Sequence, residues 1–223
     1  MTRSTTLSPL SAVKADGDGL AAAVKQRLGR FCRHPAAHVR FLNTLSLMEH
    51  VGSRKIMVSQ TRQGLSGDTL RHLAEETRHA YFFKHAAEKF ARRSLGYGAA
   101  ETIAPAAARG YLGRLDAAIA RDFAGKPAGA LPYLYMSLIV ELRAVWFYRL
   151  YQETLSEHEN ALSLRSVLAE EELHLSTMLA HLTEMDPHCA PRVARFKALE
   201  QQRFNVLWDA VEAECGRVLL AAE

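Results

Sequence analysis

The hexapeptide pattern Ala-Glu-Glu-x-x-His occurs twice in this chain, at Ala74–His79 and at Ala169–His174. Each copy follows a Glu set in an apolar stretch. Glu49 closes Ser46-Leu47-Met48-Glu49, and Glu141 closes Ser137-Leu138-Ile139-Val140-Glu141. Glu49 precedes Glu76 by 27 residues, and Glu141 precedes Glu171 by 30. On a helix, a Glu and a His three apart lie one above the other on the same face. A single Glu-x-x-His reads as a solvated polar pair. Two copies, each preceded by a Glu in apolar surroundings, do not, because an isolated buried carboxylate carries a large penalty. The pattern therefore points to a bundle in which Glu49, Glu76, His79, Glu141, Glu171 and His174 form a six-ligand set for two metal ions.

Length and composition allow this. The 223 residues suit one helical domain with a sizeable core: 48% are hydrophobic, with only 7 Pro and 13 Gly. A net charge of +4 permits an acidic partner but reads as a solvated surface, so nucleic acid is not an expected partner. Cys32, Cys189 and Cys215 form no CxxC pair, which argues against a disulfide framework and against a rubredoxin-type iron site. The first residues lack an apolar leader segment, and no apolar run approaches about 18 residues, so a cytoplasmic protein with no membrane contact is expected.

Residues 1–18 read as a mobile tail and 19–223 as one all-α domain with a core over about 36–185. Hydrophobic spacing predicts a first helix over Leu20–Cys32. Four long helices follow, over Ala36–Gln63, from Ser66 or Asp68 to Leu95, over Leu131–Ser156 and over Ala161–Met185. Gly64 is the expected stop of the first long helix. Residues 99–130, with a helix over Pro105–Phe123, read as a long crossover between parallel second and third bundle helices. A last helix over Pro191–Leu220 is expected to pack outside the bundle. At about 1.5 Å per residue, Glu49 lies roughly 21 Å from its hairpin end and Glu76 roughly 12 Å from its own. The other half gives a similar mismatch, so both hairpins bring their acids to one level.

On these motifs the chain resembles the ferritin-like di-iron carboxylate superfamily over roughly residues 36–185. The resemblance implies a ferritin-like four-helix bundle with extra terminal helices, nearest in organisation to single-chain di-iron oxygenases. It implies two Fe ions, or a Mn/Fe pair, bridged by Glu76 and Glu171. It also implies that Glu75 and Glu170 each hold a ligand His of the opposite half, which fixes the tautomer of that His. Oxygen-rich carboxylates with two imidazoles suit Fe or Mn. Four carboxylates neutralise two divalent ions. Where the reductase small subunit carries a radical Tyr, this chain has Phe83, which argues against that role.

Several neighbours invite more than one reading. His72 lies four residues before Glu76. The arylamine N-oxygenases carry an extra ligand His so placed, but in the second half, where this chain has Val167. His72 is a pseudo-symmetric extra ligand or a polar residue near a helix start. His181, two turns beyond His174, is a proton relay or a solvated helix end. Tyr148 lines a pocket or packs in the core. Gly52 and Ser53 leave room for a cavity or permit close helix packing.

The leading functional expectation is an O2-activating oxygenase or oxidase with a small organic substrate, an external electron donor and a homodimeric state. The alternatives are a ferroxidase or rubrerythrin-like iron- or peroxide-handling protein, and a non-catalytic helical binding protein.

Overall fold

A computed structural model describes residues 18–60, 66–125 and 128–220. They contain seven helices and no strand: α1 (Asp18–Arg33), α2 (Pro35–Gln60), α3 (Gly67–Ala91), α4 (Pro105–Asp122), α5 (Leu131–Glu157), α6 (Arg165–Met185) and α7 (Cys189–Leu220). No helix among the described residues is long and apolar enough to cross a membrane. The tail expected over residues 1–18 lies outside the described residues except for Asp18, which opens α1. The expected helix end at Gln63 and stop at Gly64 lie outside them as well.

Most helix ends fall within one or two residues of the expected ones, and three that differ have a local reason. The second long helix, α3, ends at Ala91 rather than Leu95, because Arg92 takes the left-handed conformation that closes a helix (φ 54°). The fourth, α6, starts at Arg165 rather than Ala161. Asn160 Oδ1 accepts from Leu162 N at 3.0 Å and Gln152 Oε1 from Leu164 N at 2.6 Å, holding residues 160–164 in a turn. The last helix, α7, starts at Cys189, and Pro191 sits in its first turn, where no intrahelical N–H bond is needed. Ser66, not Asp68, caps α3, its Oγ accepting from Thr69 N at 3.1 Å.

Cross-helix contacts fix the helix directions. Ser46 Oγ donates to Ala80 O at 2.7 Å and Lys84 Nζ to Asn43 Oδ1 at 3.0 Å, so α2 and α3 run antiparallel. Tyr135, early in α5, reaches Asp186 beyond the end of α6, and Arg149, late in α5, reaches Glu172, so α5 and α6 are antiparallel. His79 meets Glu170 and His174 meets Glu75, so α3 and α6 are antiparallel too. It follows that α3 and α5 run parallel, and residues 92–130 return the chain between them by way of α4.

Two apolar cores flank the acidic level. One gathers Phe31, Phe41, Phe147, Tyr151 and Trp208 from α1, α2, α5 and α7. The other gathers Ile119, Phe123, Tyr135, Leu138, Leu182 and Phe196 from α4, α5, α6 and α7. Along α5, Glu141 lies between Leu134–Ile139, most of what this helix gives the second core, and the Phe147–Tyr151 stretch given to the first. α7 is clamped to α5 by a buried ion pair: Arg143 Nη2 lies 2.7 Å from Glu200 Oε2 and Arg143 Nε donates to Glu200 Oε1 at 2.9 Å. Tyr111 on α4 donates to the same Glu200 oxygen at 2.7 Å.

Candidate metal centre

The six residues singled out by the repeated motif converge, and His72 joins them. None of the seven is more than 9% exposed. They form two groups whose donor atoms lie within 4.8 Å of one another: His72, Glu76, Glu141 and His174, and Glu49, Glu76, His79 and Glu171. Glu76 belongs to both. Glu171 also spans them, with Oε1 3.1 Å from His79 Nδ1 and Oε2 3.3 Å from His174 Nδ1. Four helices deliver these side chains: α2 (Glu49), α3 (His72, Glu76, His79), α5 (Glu141) and α6 (Glu171, His174).

Both motif histidines turn their outer nitrogen to a carboxylate from the opposite half. His79 Nε2 lies 2.8 Å from Glu170 Oε2, and His174 Nε2 lies 2.6 Å from Glu75 Oε2. A carboxylate there accepts the Nε2–H and turns Nδ1 toward the acid cluster, where a bound cation would take the place of its proton. Arg78 Nη2, 2.7 Å from Glu170 Oε2, anchors one of these acids. His72 is oriented the other way. Its Nε2 lies 3.2 Å from Glu141 Oε1 and 3.4 Å from Glu76 Oε1, while its Nδ1 lies 2.8 Å from the Tyr133 hydroxyl. Tyr133 carried no motif spacing that could have singled it out. Its partner comes from another helix 61 residues away.

Tyr148, seven residues beyond Glu141, is buried and donates its hydroxyl hydrogen to Glu49 Oε1. Phe83 is fully buried, its ring 5.4 Å from that of Tyr148. His181 is exposed, on the rim of a cavity of about 340 Å³ that also borders His72, Glu75 and His174. Ser53 is buried and donates to His50 O at 3.0 Å. Gly52 faces the cluster: a Cβ there would stand 3.7 Å from Glu76 Oε2.

The electrostatics are those of a site short of positive charge. Burial, then the neighbouring Glu76 and Glu171, hold the Glu49 carboxyl well above its ordinary range. Burial and Glu141 likewise push Glu171 up. Burial opposes the Glu141 anion too, but hydrogen bonds from Glu171, His174 and His72 outweigh it and lower its pKa. Burial pulls the imidazoles down, yet the carboxylates win. Glu141 and Glu76 raise His72 to about 12, Glu171 raises His79 to about 10, and Glu141 and Glu171 raise His174 to about 11. With all seven groups ionised, four carboxylates would outnumber three imidazolium ions by one charge, an excess that the upward-shifted Glu49 and Glu171 relieve by favouring their protonated forms. Glu76 Oε1 and His79 Nδ1 are buried and complete no hydrogen bond. Buried polar atoms without partners are rare, and cations would satisfy both. The donor set of carboxylates and imidazoles fits a pair of hard or borderline divalent ions such as iron or manganese.

Removing an outer carboxylate tests this arrangement. Glu170→Gln is expected to weaken metal binding by roughly 10- to 100-fold without abolishing it. A competition titration with a chelating dye measures it. An unchanged affinity would mean that Glu170 does not orient His79.

Comparisons with protein-family models, curated proteins and solved structures find no significant match to this chain. Its functional reading rests on its own residues.

Proposed function

We propose that this protein is a dimetal oxidoreductase of the ferritin-like di-iron carboxylate type, activating O2 to oxidise an organic substrate. The observation that carries the reading is the pair of buried His and carboxylate groups sharing Glu76, with Glu76 Oε1 and His79 Nδ1 completing no hydrogen bond. Glu49, Glu76, His79, Glu141, Glu171 and His174 would hold the two ions, with His72 beside Glu76 and Glu141 as a further candidate ligand. Two ferrous ions so held, or a Mn/Fe pair, would supply two electrons to O2, and an external electron donor would return them to the reduced state.

The chain's own residues do the rest. Glu75 and Glu170 accept the Nε2–H of the motif imidazoles and fix their angle, so that Nδ1 faces the ion it would hold. Tyr148 holds Glu49 by its hydroxyl and can exchange a proton with it at Oε1. Tyr133 orients His72. Apolar side chains of α2, α5 and α7 border the acids and exclude water from one side of them.

An apolar space beside the acids favours an organic substrate over iron handling, because an iron store needs a polar route for the metal. Aerobic addition of excess Fe(II) separates the two. The expected result is that oxidation beyond about two Fe per chain builds no soluble iron core. Accumulation of tens of soluble ferric ions per chain in a cage-sized assembly would favour the ferroxidase reading instead.

A further inference from the structure

A cavity of about 440 Å³ lies between α2, α4 and α5 and ends on His72, Glu76 and Glu141. α2 is antiparallel to α5, because α2 opposes α3 and α3 runs with α5. Residues 54–58, beyond Glu49 on α2, and residues 132–133, before Glu141 on α5, therefore stand at the same end of the cavity. That end is its mouth: Arg54 and Val58 are exposed, whereas His72, Glu76 and Glu141 at the other end are buried. Between the two ends, Val51, Ile56, Leu112, Met136 and Val140 give apolar walls. At a water's share of ~30 Å³, the space holds roughly ten to fifteen non-hydrogen atoms.

α5 carries a line of polar groups along this cavity. Tyr133, Ser137 and Glu141 are four residues apart, so they share one face at intervals of about 6 Å. Tyr133 is bonded to His72, and Glu141 is a candidate metal ligand. Ser137 is 8% exposed, and its hydroxyl meets no hydrogen-bond partner among the described residues. A hydroxyl inside a helix either bonds the carbonyl four residues back or points away to a polar space. On the same helix, Thr154 Oγ1 donates to Leu150 O at 2.8 Å and Ser156 Oγ to Gln152 O at 3.0 Å. Ser137 makes no such bond, and its Oγ is not shut off from open space, which on this face of α5 is the cavity. The charges at the mouth are unequal. Lys55 Nζ lies 2.7 Å from Asp116 Oδ2, but Arg54 makes no ion pair among the described residues. At the inner end, two divalent ions would balance the four carboxylates. An apolar slot with one uncompensated cation and one unpartnered hydroxyl is the complement of a carboxylate.

We propose that this cavity is the substrate site and that it takes an apolar molecule of roughly ten non-hydrogen atoms bearing one carboxylate, which accepts the Ser137 Oγ–H and is favoured by the charge of Arg54. The inference rests on the oxidoreductase reading above. A carboxylate on Ser137 stands about one helical turn, roughly 6 Å, from the level of Glu141, so the carbons next to it lie against the ions.

The probe is octanoate, with methyl heptanoate as an uncharged analogue of the same size and octylammonium as its opposite in charge. Binding to Co(II)-loaded protein is followed by calorimetry and by cobalt visible absorption. Octanoate is expected to bind saturably and more tightly than either analogue. Ser137→Ala is expected to weaken octanoate roughly 10-fold or more, the loss of one hydrogen bond to a charged group. Arg54→Gln is expected to weaken octanoate roughly 2- to 5-fold and to leave methyl heptanoate unchanged, as for an exposed charge. Met136→Trp, which fills the cavity wall, is expected to abolish binding while Co(II) content is retained. Octanoate that binds no more tightly than octylammonium, or equally well to Ser137→Ala as a ligand of the ions alone, would overturn the site and leave the oxidoreductase reading standing. Ser137-dependent binding of octanoate to a chain that takes up no Co(II) would uphold the site and overturn that reading.

Discussion

Glu76→Gln is expected to abolish binding of both metal ions and, in the same variant, to raise the thermal midpoint of the metal-free protein. Glu76 is the residue common to both ligand groups. Its loss therefore removes a donor from each ion, where loss of Glu49 or Glu141 would remove a donor from one. The stabilisation follows from the charge count. Four buried carboxylates face three imidazoles, Glu76 Oε1 completes no hydrogen bond, and the Glu76 charge helps to push the Glu49 carboxyl upward. A neutral amide of the same shape removes that repulsion. Relief of about 1–2 kcal/mol would raise the midpoint of a chain this long by roughly 2–8 °C. Sites built for chemistry commonly trade stability in this way. Elemental analysis and calorimetry of chelator-treated protein read both effects. Wild-type metal content would remove Glu76 from the centre. A lower midpoint would mean that its contacts with His72 and His79 outweigh the crowding.

The second large effect lies away from the acids. Arg143→Ala is expected to destabilise the protein by about 3–5 kcal/mol, because it strands the Glu200 carboxylate in the interior. The corresponding fall in midpoint is roughly 6–20 °C. The guanidinium also lies 4.3 Å from the Phe204 ring centroid and 4.7 Å from that of Trp146, so packing is lost with the charge. The double variant Arg143→Met, Glu200→Leu is expected to recover most of the loss, since it removes both charges and keeps the volume. Thermal melts of the three proteins decide this. A single variant within about 1 kcal/mol of wild type would mean that the pair does not clamp α7 to α5.

The parts of the site legible in the sequence were those carried by helical periodicity. Glu76 and His79, and Glu171 and His174, are three apart on their helices, and the interval to each upstream Glu matches an antiparallel hairpin. The crossover was legible because residues 99–130 are too long for a hairpin loop and hold a helix of their own. What escaped is long-range in the chain. Tyr133 meets His72 across 61 residues, Tyr148 meets Glu49 across 99, and Arg143 meets Glu200 across 57. No local pattern encodes such pairs. His72 stood between two readings, since four-residue spacing to Glu76 puts it on the right face but does not say that Glu141 lies opposite. Helix ends escaped where single side chains decide them, as with Asn160 and Gln152 before α6.

Trp208 illustrates the difference most sharply. In sequence it is one aromatic on an amphipathic helix. In the structure its ring packs on Phe147 and Phe204, and its buried N–H has no acceptor. Burial and neighbours, not residue type, separate it from Trp146, which is half-buried with the Arg143 guanidinium over its ring.

The most direct measurement is iron content and O2 uptake of the protein loaded anaerobically with Fe(II) and freed of excess iron. About two Fe per chain, with O2 consumed on mixing and a change in visible absorption, is the expected result. Less than one Fe per chain, or two Fe with no reaction toward O2, would contradict the account.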